Sequence, residues 1–218
     1  MGNIPIVVLV VIILNVLFSY QGFNNQKLFE KYKFHIGKIQ AGEKIRMFSS
    51  GFLHGDWMHL LFNMYSLYMF APIVEATLGP INFVIIYVGA LLIGSILSFF
   101  FHKNEYHYSA IGASGAVSGI IYSSILIYPE MTLQFFIIPI PIPGYVFGIG
   151  YLLYSIYGMK SNTDNIGHDA HFGGAVGGYL LTLLIMPSLL ETNLLMVGLL
   201  AIPIVILFFL IKTGKLNA

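Results

Sequence analysis

Charge is scarce in this chain and cysteine is absent. Charged residues make up 9% of the 218 positions, where a soluble domain carries roughly 25%; hydrophobic residues make up 57%. Without cysteine, disulfides, iron–sulfur clusters and thiolate zinc sites are excluded. A net charge of +1 provides no basic field for nucleic acid. Internal repeats, low-complexity tracts, a soluble domain and the alternating segments of a membrane β-barrel are also missing. The composition is that of a membrane protein. Its spans are expected to be helices, because an open strand in lipid leaves backbone groups unpaired.

Seven apolar runs are long enough to cross about 30 Å of hydrocarbon once their ends reach the interface. They cover residues 4–20, 57–78, 81–101, 113–128, 144–159, 170–186 and 194–212. Met1 to Pro5 carry no lysine or arginine, and no small-x-small cleavage site follows, so the first run is expected to remain as a helix. Ile6 stands where a myristoylation motif needs serine or threonine. Residues 21–56 set Lys27, Lys31, Lys33, Lys38, Lys44 and Arg46 among Phe23, Phe29, Phe34, Ile36 and Phe48. That mixture predicts an interfacial segment lying on the bilayer. Residues 129–143 end in PIPIP, which cannot hold a continuous helix and reads as a loop or a broken lead into the fifth span.

With seven spans, helices two, four and six all begin on the side of the long first loop. Their first turns hold His54, Asp56, His59 and Asn63; Ser114 and Ser118; and His168, Asp169 and His171. Polar side chains at one depth in a bilayer point to a hydrated functional cavity. Ser114 lies in GASGAVSG at the start of helix four, where free N–H groups and the helix dipole favour an oxyanion. Gly112 and Gly115 let a substrate backbone approach closely. The bland alternative is packing through Gly115 and Gly119.

In GHDAHFGGAVGG, residues 167–178, His171, Gly174, Ala175 and Gly178 share one helical face. A histidine above a groove of small residues can reach a serine hydroxyl on a neighbouring helix and act as its base. His168 and Asp169 compete for that role or orient His171. In HGDWMHLLFNM, residues 54–64, His59 and Asn63 are i, i+4 neighbours, and both can donate hydrogen bonds to a developing oxyanion. A capping and packing cluster is the alternative there.

Taken in order, His54-x4-His59-x3-Asn63, Gly112-x-Ser114-Gly115 and Ala170-His171-x2-Gly174 resemble the rhomboid intramembrane serine proteases. The resemblance implies an all-α membrane protein, a six-helix bundle plus one C-terminal transmembrane helix, with residues 1–186 as the catalytic bundle and 187–218 as the seventh helix and tail. It implies Ser114 as nucleophile and His171 as base of a two-residue dyad. His59, Asn63 and the Ser114 N–H form the oxyanion hole, with His54, Gly112, Gly115 and Ser118 in support. It further implies cleavage of transmembrane substrate proteins in contact with lipid, without metal or cofactor, by a multi-pass protein of a bacterial inner membrane. Two positions depart from the family pattern. Ser118 stands where an aromatic often stacks on the catalytic histidine, so a hydroxyl or water is expected in place of that stack. Ile45-Arg46 stands where Trp-Arg is frequent.

Other chemistries fit less well. A helical metalloprotease needs histidines at i, i+4 with a glutamate beside the first, but His54 and His59 are five apart and His54 is followed by Gly55. Aspartyl chemistry needs a carboxylate pair, and Asp56, Glu75 and Asp169 have no obvious mates. A transporter or proton-coupled channel would carry polar residues through the full depth, whereas the lower halves of helices four and six are apolar or small, apart from Tyr122, Ser123 and Tyr179. A scaffold that binds transmembrane clients is the third reading. All ten lysines and arginines fall on the side of loops one, three and five and the C-terminus. The positive-inside rule places that side in the cytoplasm, whereas the resemblance implies a site opening to the exterior.

Overall fold

A computed structural model describes residues 4–134, 140–161 and 166–216; readings that fall on residues 1–3 lie outside this set. Helix α1 (Ile6–Asn24) buries Val8, Val11, Asn15, Ser19 and Gly22, a stripe at helical spacing, and turns Leu9, Val10, Ile13 and Leu17 outward. Apolar side chains on the outer face are what a lipid solvent favours.

Among the described residues, three helices are individually long and apolar enough to cross a membrane: α1, α5 (Trp57–His102) and α10 (Leu194–Lys212). Helix α5 contains two of the expected spans. At Gly79 the backbone leaves helical geometry, with φ 82° and ψ 166°, a conformation open to glycine, and Pro80 follows. The chain reverses there: His59 near the start of α5 lies against Gly112, and His102 at its end stacks on Tyr108 with ring centroids 3.5 Å apart. The other spans are α6 (Ser114–Ile127), α7 (Gly144–Ser161) and α8 (His168–Ile185).

Helix α6 is the hub, buried from Gly115 to Leu126. Its 14 residues reach about 21 Å, less than the ~30 Å hydrocarbon layer, so its first turn can begin below the bilayer surface. Small residues bring its neighbours to backbone contact. A Cβ at Gly174 would overlap the Gly115 carbonyl, and one at Gly178 the Gly119 carbonyl. A Cβ at Gly94 of α5 would lie 2.6 Å from the Ala170 carbonyl oxygen. Helices α5, α6 and α8 therefore meet along a glycine seam whose upper end carries the polar residues. Helix α10 closes over α7 and α8, where the Tyr179 hydroxyl donates to the Val197 carbonyl at 2.9 Å.

The first loop is folded. Asn25 caps α2 (Gln26–Tyr32) by accepting the Leu28 N–H, and α3 (Ile36–Gln40) and α4 (Arg46–Ser49) follow. Between α2 and α3, β1 (Phe34–His35) pairs antiparallel with β2 (Ser109–Ala110), fixing loops one and three to the same side. Phe34, Ile36 and Ile39 form a second small core with Met47, Phe99 and Tyr108. Arg46 is buried; it pairs with Glu43 at 2.7 Å and donates to the Glu30 and Lys33 carbonyls at 2.8 and 3.0 Å. Its neighbour Ile45 is exposed, so arginine rather than its predecessor knits this loop.

The PIPIP run begins at Pro139, outside the described residues, and ends in β4 (Ile142–Pro143), which pairs with β3 (Thr132–Leu133). Helix α7 starts immediately after, at Gly144. A short α9 (Leu189–Thr192) leads into α10.

Candidate active site

The first turns of α5, α6 and α8 open on one cavity of about 1060 Å³. His59, Asn63, Gly112, Ser114, Gly115, Ser118 and His171 all line it. Of the supporting residues expected from sequence, only His54 stands behind the wall.

Ser114 is the first residue of α6, so backbone N–H groups without helical partners point past it. Gly112 leads into that turn with φ 120°, a left-handed backbone that L side chains avoid. Glycine is needed there for a second reason. A Cβ at 112 would sit 2.7 Å from His59 Nε2 and 3.7 Å from Ser114 Oγ, so the His59 ring occupies the space a side chain would take.

Asp56 caps α5 by accepting the His59 N–H at 2.8 Å. The Gly55 N–H approaches His59 Nδ1 at 3.4 Å, which makes Nδ1 the acceptor and leaves the proton on Nε2, facing Gly112 and Ser114. One Asn63 N–H goes to the His59 carbonyl at 3.0 Å; the amide carries a second. Donors from α5 thus lie beside the serine.

His54 organises this corner from the loop ahead of α5. Ser19 of α1 gives its one hydroxyl proton to the Phe52 carbonyl at 3.0 Å. Its 2.7 Å contact with His54 Nδ1 therefore has the imidazole N–H as donor. Nε2 is left to accept the Ala113 N–H at 3.4 Å, which pins the residue before Ser114. The His54 ring also meets His59 edge-on at 4.9 Å. Burial pushes His54 down to about 3, and it stays neutral.

On α8, His171 sits in the first turn with its N–H on the Gly167 carbonyl at 3.0 Å. Asp169 faces away from it, toward His102 of α5, with 3.5 Å between Oδ2 and Nε2. His168 packs on α7, edge-on to Tyr154 at 5.0 Å, with its ring against Gly158. Of the three polar residues on this turn, His171 is the one whose small-residue face meets α6.

Two residues that sequence reasoning passed over belong to the site. Ser19 lies 95 positions before Ser114 by number alone, and only its spacing on the buried stripe of α1 hinted at it. Tyr151 of α7 lines the cavity, stacks on His171 at 6.0 Å and 22°, and meets Ser118 Oγ at 2.7 Å. The expectation that a hydroxyl or water would replace the stack is corrected here: the ring comes from another helix.

Below this chamber the polar side chains are consumed by helix contacts. Tyr122 donates to the Gly148 carbonyl at 2.6 Å, Ser123 meets Thr182 at 2.6 Å, and Ser124 donates to the Phe70 carbonyl at 2.9 Å. None of these three serine or tyrosine residues lines the cavity.

An all-helical bundle with apolar outer faces and a polar chamber at its helix starts defines an integral membrane protein. The model of the Rhomboid domain matches residues 41–188, and the chain belongs to the rhomboid family. It is similar to RHOMBOID-like protein 12, mitochondrial, of Arabidopsis thaliana, 28% identical over 78% of this chain and 55% of that protein. It is also similar to Rhomboid protein 1, mitochondrial, of Saccharomyces cerevisiae, 26% identical over 71% of this chain and 45% of that protein. Rhomboid protease GluP of Bacillus subtilis is 34% identical over 65% of this chain and 26% of its own length. The chain spans about half the length of the two mitochondrial relatives.

Proposed function

We propose that the protein is an intramembrane serine endopeptidase that hydrolyses peptide bonds in or near transmembrane helices of substrate proteins, with Ser114 as nucleophile and His171 as general base. The observation that carries this reading is the convergence on one cavity of Ser114 at a helix start, His171 at another, and His59, whose Nε2 lies beside Gly112. The name of the relative GluP, a rhomboid protease, supports the same class.

A helix hides its carbonyls in hydrogen bonds, so the substrate must unwind before attack. His171 takes the Ser114 proton as Oγ bonds to the carbonyl carbon, and the oxyanion is held by His59, Asn63 and the Ser114 N–H. The C–N bond then breaks and the amine leaves with the proton from His171. Water attacks the acyl-serine, His171 again serves as base, and the carboxylate product departs as Ser114 recovers its proton.

A transporter or channel requires a polar path through the bundle. The interhelical bonds of Tyr122, Ser123 and Ser124 weigh against it. The setting proposed is a bacterial cell membrane, with the cavity open to the exterior and transmembrane proteins as partners.

The test is cleavage of a model transmembrane substrate by purified protein in chelator. Ser114→Ala and His171→Ala should each abolish cleavage while keeping the thermal unfolding midpoint, and a fluorophosphonate should label Ser114. Full activity in either variant overturns the dyad.

A further inference from the structure

We propose that Tyr151 of α7 is the positioning residue for the His171 imidazole and that Ser118 is the hydroxyl that aims it. This rests on the Ser114–His171 reading above. Position 118 lies one turn down α6 from Ser114, and its side chain is too small to stack on a ring carried by α8. The space is filled from α7. The Tyr151 ring lies 6.0 Å from the His171 ring with 22° between planes, inside the roughly 4.5–7 Å range of offset-stacked aromatic pairs. Phe147, one turn earlier, stacks on Tyr151 in turn at 5.9 Å and 14°, so the tyrosine plane is fixed by its own helix.

Its hydroxyl end is fixed by α6. Ser118 Oγ donates its one proton to the Ser114 carbonyl at 2.7 Å, so the 2.7 Å contact with Tyr151 has the phenol as donor. A tyrosine has few torsions to lose, and tethering Oη while packing the ring leaves the phenol one orientation. The linkage Ser114, Ser118, Tyr151, His171 joins α6, α7 and α8. Tilting α7 away from α6 carries the ring off the imidazole.

A misplacement of about 1 Å in a reacting group can cost about 10²-fold in rate, which sets the scale. The experiment measures kcat, KM and the pH–rate profile of Tyr151→Leu, Tyr151→Phe and the double variant Tyr151→Leu/Ser118→Tyr on a transmembrane peptide substrate. Tyr151→Leu should lower kcat about 10- to 100-fold with KM within about twofold, and should displace the pH limb assigned to His171. Tyr151→Phe keeps the ring and should keep that limb, losing only a few-fold in kcat. The double variant returns a ring to the imidazole from α6 and should recover about tenfold over Tyr151→Leu.

Unchanged kcat and pH limb in Tyr151→Leu overturn the proposal, as does a Tyr151→Phe variant with the same displaced limb. Should Tyr151→Leu fail to fold, Tyr151→Met, which also removes the ring, takes its place: a displaced limb supports the proposal and an unchanged kcat and limb overturn it. Fluorophosphonate labelling of wild-type Ser114 separates the two readings. No label removes the peptidase assignment, whereas a labelled wild type with an indifferent Tyr151→Leu removes only the stacking role.

Discussion

Replacing Gly112 by alanine tests the proposed oxyanion corner through a single methyl group. The new Cβ would stand 2.7 Å from His59 Nε2 and 2.9 Å from its Cε1, whereas carbon contacts are comfortable at about 3.5–4.0 Å. The ring must retreat by roughly 0.8 Å, which breaks the alignment of its Nε2–H with the space beside Ser114 Oγ. The backbone at φ 120° adds strain of about 1–3 kcal/mol, whatever lies nearby. Losing one oxyanion donor costs about 10²- to 10³-fold in kcat, and Gly112→Ala should approach that loss. The decisive measurement is a double-mutant cycle with His59→Ala, read as kcat/KM on a transmembrane substrate. Backbone strain is present with or without the imidazole and cancels from the coupling. Once the ring is gone the methyl has nothing to displace, so the double variant should be within about threefold of His59→Ala. Losses that multiply instead would show that Gly112 and His59 act separately, and the geometry argued for the oxyanion donor would be refuted.

The glycine seam makes a paired prediction. Gly174→Ala should destabilise by about 1–3 kcal/mol through overpacking against the Gly115 backbone, while Gly150→Ala, with open space around it, should leave the unfolding midpoint unmoved. Equal midpoints for the two would mean that α6 and α8 do not pack as described. A second prediction concerns pH. His54 falls from about 6.5 in an unfolded chain to about 3 when folded, so the unfolded state binds more protons between those values. Stability should therefore drop as pH falls from about 6.5, by at most about 1.4 kcal/mol per pH unit. His54→Asn should flatten that decline in thermal unfolding, and an equally steep decline would exonerate His54. Topology can be mapped because no native cysteine interferes. Single cysteines at positions 107 and 75 should be labelled from outside and only after permeabilisation, respectively; the opposite pattern would favour the orientation set by the lysines and arginines.

Much of the fold was legible because lipid imposes a simple rule on sequence. Runs of apolar residues had to be spans, and the boundary between the second and third fell at Gly79, whose positive φ ends the helix just before Pro80. The depth of the polar cluster followed from counting spans, which places His59, Ser114 and His171 on one side. His54 was legible as a polar group at that depth; its part in pinning Ala113 depends on Ser19, and nothing in the spacing of α1 says which helix Ser19 will face. Asp169 could equally have turned to His171 by sequence. The end of α5 supplied His102 instead, and that neighbour is created by the reversal at Gly79.

Composition and order along the chain thus determined the solvent, the number of crossings and the residue types able to do acyl-transfer chemistry, since these depend on local apolarity and helix parity alone. Only the tertiary structure decided which ring lies beside His171. Ser118 and Tyr151 lie on different helices, and the packing of α6 against α7, which no local pattern encodes, brings the hydroxyl of one to the phenol of the other.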